Sequence, residues 1–401
     1  MFLQYFIWGT WYVSMGSYLA NHLYFGGKQI GAVYGAFAVG SMISPFFVGL
    51  IADRFFSSEK LLAILNLAGS LALFILARVR AFDAFYSVLI LYCICFAPTL
   101  ALGNSLSLHH LSDSKRDFPR VKVFSAIGWI GGGVVLSLLQ GEQSNLQFYL
   151  ASGVSAALGF FSLFLPHTPP KKVGQNVSWG DALGLDALSL MKRPSFTIFI
   201  ICLFLICIPL YFYFVMMSIY LTELHWTAIA GKMALAQVSD VIFLFFLPVI
   251  LKPLGYKKTI ALGIFAWTAR YFFLTESAVL VRMQTAFVFV AILLHGICYD
   301  FLFIVAQLFV DNRSNERNRG SAQGFIAFIL WGVGSFVGTM LAGTVLAQHT
   351  LHEHHGGMAH DWGAIWMTPA IGALVVLIVF LFSFAEPAAK FRMAEAPASA
   401  P

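Results

Sequence analysis

Four charged side chains interrupt stretches that are otherwise apolar: Lys122, Asp240, Arg270 and Asp300. Asp300 is the sharpest case, set in "HGICYDFLFIV" among apolar, aromatic and small neighbours. A charge at the centre of a bilayer costs about 2.5–3.5 kcal/mol on insertion scales, so an intramembrane acid is functional by default. An apolar, half-dry site disfavours the charged form of a carboxylate, which lets it take up and release a proton near neutral pH. That is the property a proton carrier needs, and it applies to Asp300 and Asp240 alike. The competing reading for Asp300 is a buried hydrogen-bonding residue between helices.

Spacing adds further groups. Gln237 and Asp240 lie three apart and His295 and Tyr299 four apart, so each pair shares one face of a helix. Lys122 and Trp129 are seven apart, two turns along one side. Each pair joins a hydrogen-bonding group to a second polar or aromatic one. Such a set suits a solute with a flat ring and several donors and acceptors. From the residues alone, packing is the better account of Trp129, Tyr211, Phe214 and Tyr299, because aromatic residues are common in any membrane span.

The elements that must position these residues are set by composition. The chain has 401 residues, of which 59% are hydrophobic and only 10% charged, against roughly 25% charged in a soluble domain. No ordinary core needs that much apolar sequence, so lipid is the solvent for most of the chain. Twelve stretches reach the length of a span: 1–24, 29–51, 61–79, 84–108, 119–140, 146–165, 195–222, 227–251, 257–275, 281–310, 320–347 and 361–385. Runs this long and continuous make helices rather than barrel strands. The first reads as helix 1 and not as a cleavable signal, being too long for one and lacking a basic leader.

Of the 24 Lys and Arg residues, 18 fall on one side of these spans, five on the other, and Arg270 inside one. The heavy side is expected to be the cytoplasm, with both termini there. The net charge of +6 is therefore a topology signal, and no nucleic-acid partner is expected from it. Cys93, Cys95, Cys202, Cys207 and Cys298 all sit in spans and read as small packing residues.

The longest inward loop, 166–194, separates six spans from six. "GLIADRFFSSEKLLAI" echoes "PVILKPLGYKKTIALG", and "CFAPTLALGNSL" echoes "CYDFLFIVAQLF"; the Gly-rich "FSAIGWIGGGVV" matches "FILWGVGSFVGT". The expected fold is an all-α membrane protein with twelve transmembrane helices in two pseudo-symmetric six-helix bundles. The bundles are 1–165 and 195–385, joined by a cytoplasmic linker at 166–194 and followed by a tail at 386–401.

Within this frame "GLIADRF", with Asp53 and Arg54, resembles the loop motif between helices 2 and 3 of the major facilitator superfamily. The set "WGTWYVSMGSY", "IGAVYGAF", "APTLALGNSLS", "FPRVKVFSAIGW", "LPHTP", "LGLDALSL", "AQVSD" and "SAQG", in this order, resembles the nucleoside:proton symporter family over nearly the whole chain. The resemblance implies a central cavity lined by helices 1, 4, 7 and 10 and flanked by 2, 5, 8 and 11. Lys122, Asp240 and Asp300 would face it. Arg270 would not, and reads as pairing with a polar group across a helix contact or snorkelling outward.

The resemblance also implies a substrate site. Lys122 falls at an Arg position, Trp129 at an aromatic one, Gln237 at a glutamine, Asp240 at a glutamate and Asp300 at an aspartate. His295 and Tyr299 fall at a tyrosine and a phenylalanine. Ala126 replaces a hydroxyl residue, and Tyr211 and Phe214 stand where the family shows amides. Substrate binding is thus assigned to Lys122, Trp129, Tyr211, Phe214, Gln237, Asp240, His295 and Tyr299. Proton coupling goes to Asp300 and Asp240, with Lys122 as a basic neighbour that tunes them, and gating to Asp53 and Arg54.

The implied activity is proton-coupled import of nucleosides by alternating access, in a bacterial inner membrane, by a monomer that is not an enzyme and whose only cofactor is the coupling proton. The departures at Ala126, Tyr211 and Phe214 leave a sugar, an amino sugar or another small polar metabolite as alternative cargo. A metal-dependent membrane enzyme would draw on the outward, His-rich 348–362, with His349, His352, His354, His355 and His360. Its irregular ligand spacing favours a solvated loop and no metal site. A sensor without transport would need a soluble output domain, which no loop here is long enough to form.

Overall fold

The computed structural model describes residues 1–46, 56–169, 185–314, 319–352 and 358–385. Its elements are nearly all helical. The first half of the chain contributes α1 (Phe2–Trp11), α2 (Met15–Asn21), α3 (Gly27–Phe46), α4 (Ser58–Leu76), α5 (Phe82–His110), α6 (Ser114–Leu138) and α7 (Leu146–Ser162). The second half contributes α8 (Pro194–Glu223), α9 (Ile229–Met233), α10 (Leu235–Val279), α11 (Gln284–Leu293), α12 (His295–Tyr299), α13 (Val305–Arg313), α14 (Arg319–Ala327), α15 (Gly334–Gln348) and α16 (Trp362–Ser383). Among the described residues, eight helical stretches are long and apolar enough to cross a membrane.

Three local features differ from the sequence expectation. The first span is broken between α1 and α2, near Tyr12. The expected spans 227–251 and 257–275 run through α10 with no loop between them; the chain turns at Gly255, whose φ of 70° a side-chain-bearing residue rarely adopts. And 348–362 is not simply a solvated loop. Thr350–His352 (β1) pairs antiparallel with Met358–His360 (β2). His360 Nδ1 lies 2.5 Å from a Glu223 carboxylate oxygen, whose partner oxygen accepts the Trp362 indole N–H at 2.6 Å. Glu223 ends α8, so this turn is tied to the bundle. Glu353, His354 and His355 lie outside the described residues, as do Asp53 and Arg54.

The Gly-rich pattern in α6 has a direct structural use. A Cβ on Gly128 would collide with the Phe2 carbonyl, and one on Gly132 would sit 2.5 Å from the Phe6 carbonyl. Glycine at these positions lets α1 lie against α6 with backbones nearly touching. The two aromatic faces, Tyr5–Trp8–Tyr12 and Trp129, are thereby brought to one wall.

Candidate functional site

A cavity of about 420 Å³ lies between the two halves of the chain, within the usual range for small-molecule sites. From the first half, α1 contributes Tyr5 and Trp8, with Tyr12 just beyond its end. The repeat of three then four residues puts all three on one face. Lys122, Ala126 and Trp129 do the same on α6. From the second half come Phe214 on α8, Gln237, Asp240, Val241 and Leu244 on α10, His295 and Tyr299 on α12, and Trp331. The spacing 237, 240, 241, 244 is one helical stripe.

Seven of the eight expected substrate residues therefore line one cavity. Tyr211 does not. It is buried, and its hydroxyl reaches the Leu330 carbonyl at 3.4 Å, so it supports the α8 wall from behind. Residues not anticipated from sequence are Tyr5, Trp8, Tyr12 and Trp331. The signal for the first three was present, since Tyr, Trp and Tyr at 5, 8 and 12 form a helical stripe. Trp331 had no such signal: it sits in a π-helical segment, Phe328–Val333, whose altered pitch shifts side chains off the α-helical face.

Asp240 and Asp300 meet because α10 and α12 are clamped one turn away. Ser239 Oγ donates to the Leu293 carbonyl at 2.5 Å and accepts the Gly296 N–H at 3.2 Å. A side chain on Gly296 would collide with the Ser239 carbonyl, so only glycine admits this approach. One residue beyond Ser239 and one turn beyond Gly296, the two carboxyl groups are close enough to interact directly. Asp300 is 1% exposed and opens a π-helical segment, Asp300–Ile304. It sits behind Asp240, which reaches the cavity wall.

Lys122 does not pair with either acid, contrary to its expected place as their basic neighbour. Its Nζ donates to the Tyr5 hydroxyl at 3.3 Å and lies 5.3 Å from that ring's centre. The two groups are on opposite walls of the cavity, and the cavity separates them. Arg270 matches its expected structural pairing: it is fully buried and contacts His295 Nδ1 through Nη1 at 2.9 Å.

The aromatic lining is continuous. Trp129 packs on Trp8 at 5.1 Å and Tyr12 at 6.2 Å between ring centres, Tyr12 on Phe214 at 5.4 Å, and His295 on Tyr299 at 5.7 Å. One end of the cavity thus offers flat faces and the other a lysine and a carboxyl pair. Beyond Trp129 the halves are sealed together. Glu142 accepts the Ala230 N–H at 2.6 Å, Ser137 Oγ accepts the Gly231 N–H at 2.8 Å, and Ser17 Oγ bonds Thr222 Oγ1 at 2.7 Å.

Comparison with known proteins agrees with this architecture. The family model described as nucleoside H+ symporter matches residues 1–389. YegT of Escherichia coli (strain K12), a provisionally named nucleoside transporter, is 35% identical over 96% of this chain and 92% of its own. The xanthosine permease of the same organism is 31% identical over 96% and 94%. The crystal structure of the nucleoside transporter NupG superposes with a TM-score of 0.86 at 29% identity, covering 96% of this chain and 97% of that one. With its family model matched over nearly its full length, the chain belongs to the nucleoside:proton symporter family of transporters.

Proposed function

We propose that this protein imports nucleosides with protons by alternating access, as a twelve-span monomer built of two six-helix bundles in a bacterial inner membrane, with both termini cytoplasmic. The observation that carries the reading is the pairing of half-buried Asp240, at the wall of a cavity rich in flat faces, with buried Asp300 behind it. Two carboxyl groups at such range in a low-dielectric site hold one proton between them, because two bare charges there repel strongly. Asp240, at the cavity wall, exchanges that proton with solvent and senses the substrate. Asp300, behind it, retains the second carboxyl in the dry interior.

In this conformation the halves are sealed at the Glu142–Ala230 end, and the cavity reaches α6 from Trp129 back to Pro119, near that helix's start. With the inferred topology the seal is outward and the site opens to the cytoplasm, the state that releases cargo. Trp129, Phe214 and Tyr299 stack on the base. Lys122, Gln237, Asp240 and His295 bond its edges and the ribose hydroxyls. The loop bearing Asp53 and Arg54 acts as the inner gate.

The test is uptake of labelled nucleosides into proteoliposomes under an imposed proton gradient, with amino sugars compared in parallel. Accumulation of nucleoside above a gradient-free control is the expected result. Accumulation of amino sugar but no nucleoside would overturn the cargo.

A further inference from the structure

Arg270 stands outside the cavity wall, yet its position dictates what one cavity residue can do. It is fully buried on the far half of α10. Its guanidinium carbon lies 3.6 Å above the Tyr213 ring and 5.2 Å from that of Trp267. Nε and Nη2 have no hydrogen-bond partner, and among the described residues no carboxylate pairs with it. Its Nη1 is hydrogen-bonded to His295 Nδ1 at 2.9 Å.

That bond has one possible sense. A guanidinium stays protonated and carries donors only, so Arg270 donates and His295 Nδ1 accepts. An imidazole that accepts at Nδ1 carries its one hydrogen on Nε2. A second ring proton would have to sit on Nδ1, against the Arg270 N–H. His295 is therefore neutral and of fixed tautomer. Among the described residues its Nε2 has no hydrogen-bond partner, and the residue lines the cavity. The ring is also fixed in orientation, stacked on Tyr213 at 6.0 Å and Tyr299 at 5.7 Å.

His295 lies at the aromatic end. A narrow recess there is shared by Trp129, Phe214, Gln237 and His295, on the side suited to a base. Lys122 and the acid pair suit hydroxyl groups instead. We propose that Arg270 is a specificity-determining positioning residue: by holding His295 as a fixed N–H donor, it makes the site select nucleosides whose base turns an oxo acceptor, and not an amino donor, toward that point. An amino group there would set donor against donor and leave the His295 N–H unpaired, the kind of mismatch that polar sites reject strongly.

This inference rests on the nucleoside reading, and its test separates the two. Inosine against adenosine, and uridine against cytidine, are matched pairs that exchange oxo for amino. In proteoliposomes the wild type is expected to favour the oxo member of at least one pair by about tenfold or more in kcat/KM. Arg270→Met frees the ring to present either its N–H or its lone pair, and that ratio is expected to fall toward one, chiefly through KM. Transport of both members at equal efficiency by the wild type, or an unchanged ratio in Arg270→Met, overturns the inference while leaving nucleoside transport intact. Transport of neither pair overturns the nucleoside reading itself. Should Arg270→Met not fold, histidine-selective ¹⁵N NMR of the wild type decides, with the His295 signal identified by its loss in His295→Gln. A ring protonated at Nε2 alone across neutral pH is expected; one protonated at Nδ1, or at both nitrogens, overturns the inference.

Discussion

Asp240 and Asp300, on helices clamped together by Ser239 and Gly296, interact through their carboxyl groups, and Asp240 Oδ1 and Asp300 Oδ2 are buried without a hydrogen-bond partner among the described residues. A shared proton relieves the repulsion between them, and removing it recreates that repulsion. The pair thus has two states of differing energy, and a transporter that couples to protons requires such an element.

Asp300→Asn should keep the shape of the pair and abolish its second charge. Accumulation of nucleoside under a proton gradient is expected to drop to the gradient-free level, while exchange of labelled for unlabelled nucleoside across the membrane persists. Gradient-driven accumulation at the wild-type level would show that the proton travels elsewhere.

Among the described residues Lys122 is held by Tyr5 alone, which leaves its ammonium able to turn to a substrate. A hydrogen bond from a charged group contributes about 1.5–3 kcal/mol. Lys122→Met should therefore raise KM by about tenfold to a hundredfold, with the melting temperature of the substrate-free protein little changed. Uptake kinetics alongside a thermal-shift scan checks both halves of the statement.

Gly132 sits where α1 and α6 touch backbone to backbone. Overpacking costs about 1–3 kcal/mol even where side chains can adjust, and the atoms facing Gly132 belong largely to the backbone, which cannot. Gly132→Val is expected to lower the melting temperature and the yield of monodisperse protein. Gly103, where an added Cβ would meet open space, should tolerate alanine by the same measurement.

Glu142 joins the two halves through the Ala230 amide, and the Ser137 hydroxyl of its own half holds it in place. Glu142→Ala leaves a buried N–H unpaired there, at about 1–3 kcal/mol, and should shift the population toward the outward-open state by about tenfold. Spin labels placed at the ends of α2 and α8 would report this as growth of a longer distance. An unchanged distribution would mean the seal does not depend on Glu142.

Much of this protein is legible in its sequence because a bilayer enforces simple rules. Apolar runs of span length become helices, and a charge inside one needs a reason, so Asp240 and Asp300 stand out by residue type and position alone. Helical spacing also places Gln237 with Asp240 and His295 with Tyr299 on common faces, and all four come to one site. Repetition along a helix is a one-dimensional property, and sequence reports it directly.

What only the tertiary structure decided is which faces meet. Tyr211 and Phe214 are three residues apart on α8, yet Phe214 lines the cavity and Tyr211 braces the Leu330 carbonyl behind it. Lys122 and the acid pair, all charged and all in spans, stand on separate walls. Trp331 reaches the site through a π-helical segment that no periodicity announces. Arg270, structural by its place in the chain, governs His295 through one hydrogen bond between residues 25 positions apart. The reason is physical: a helix sets the direction of a side chain relative to its own axis, while the rotation of that axis against its neighbours is set by contacts such as Ser239 on Gly296, which exist only once the helices have packed.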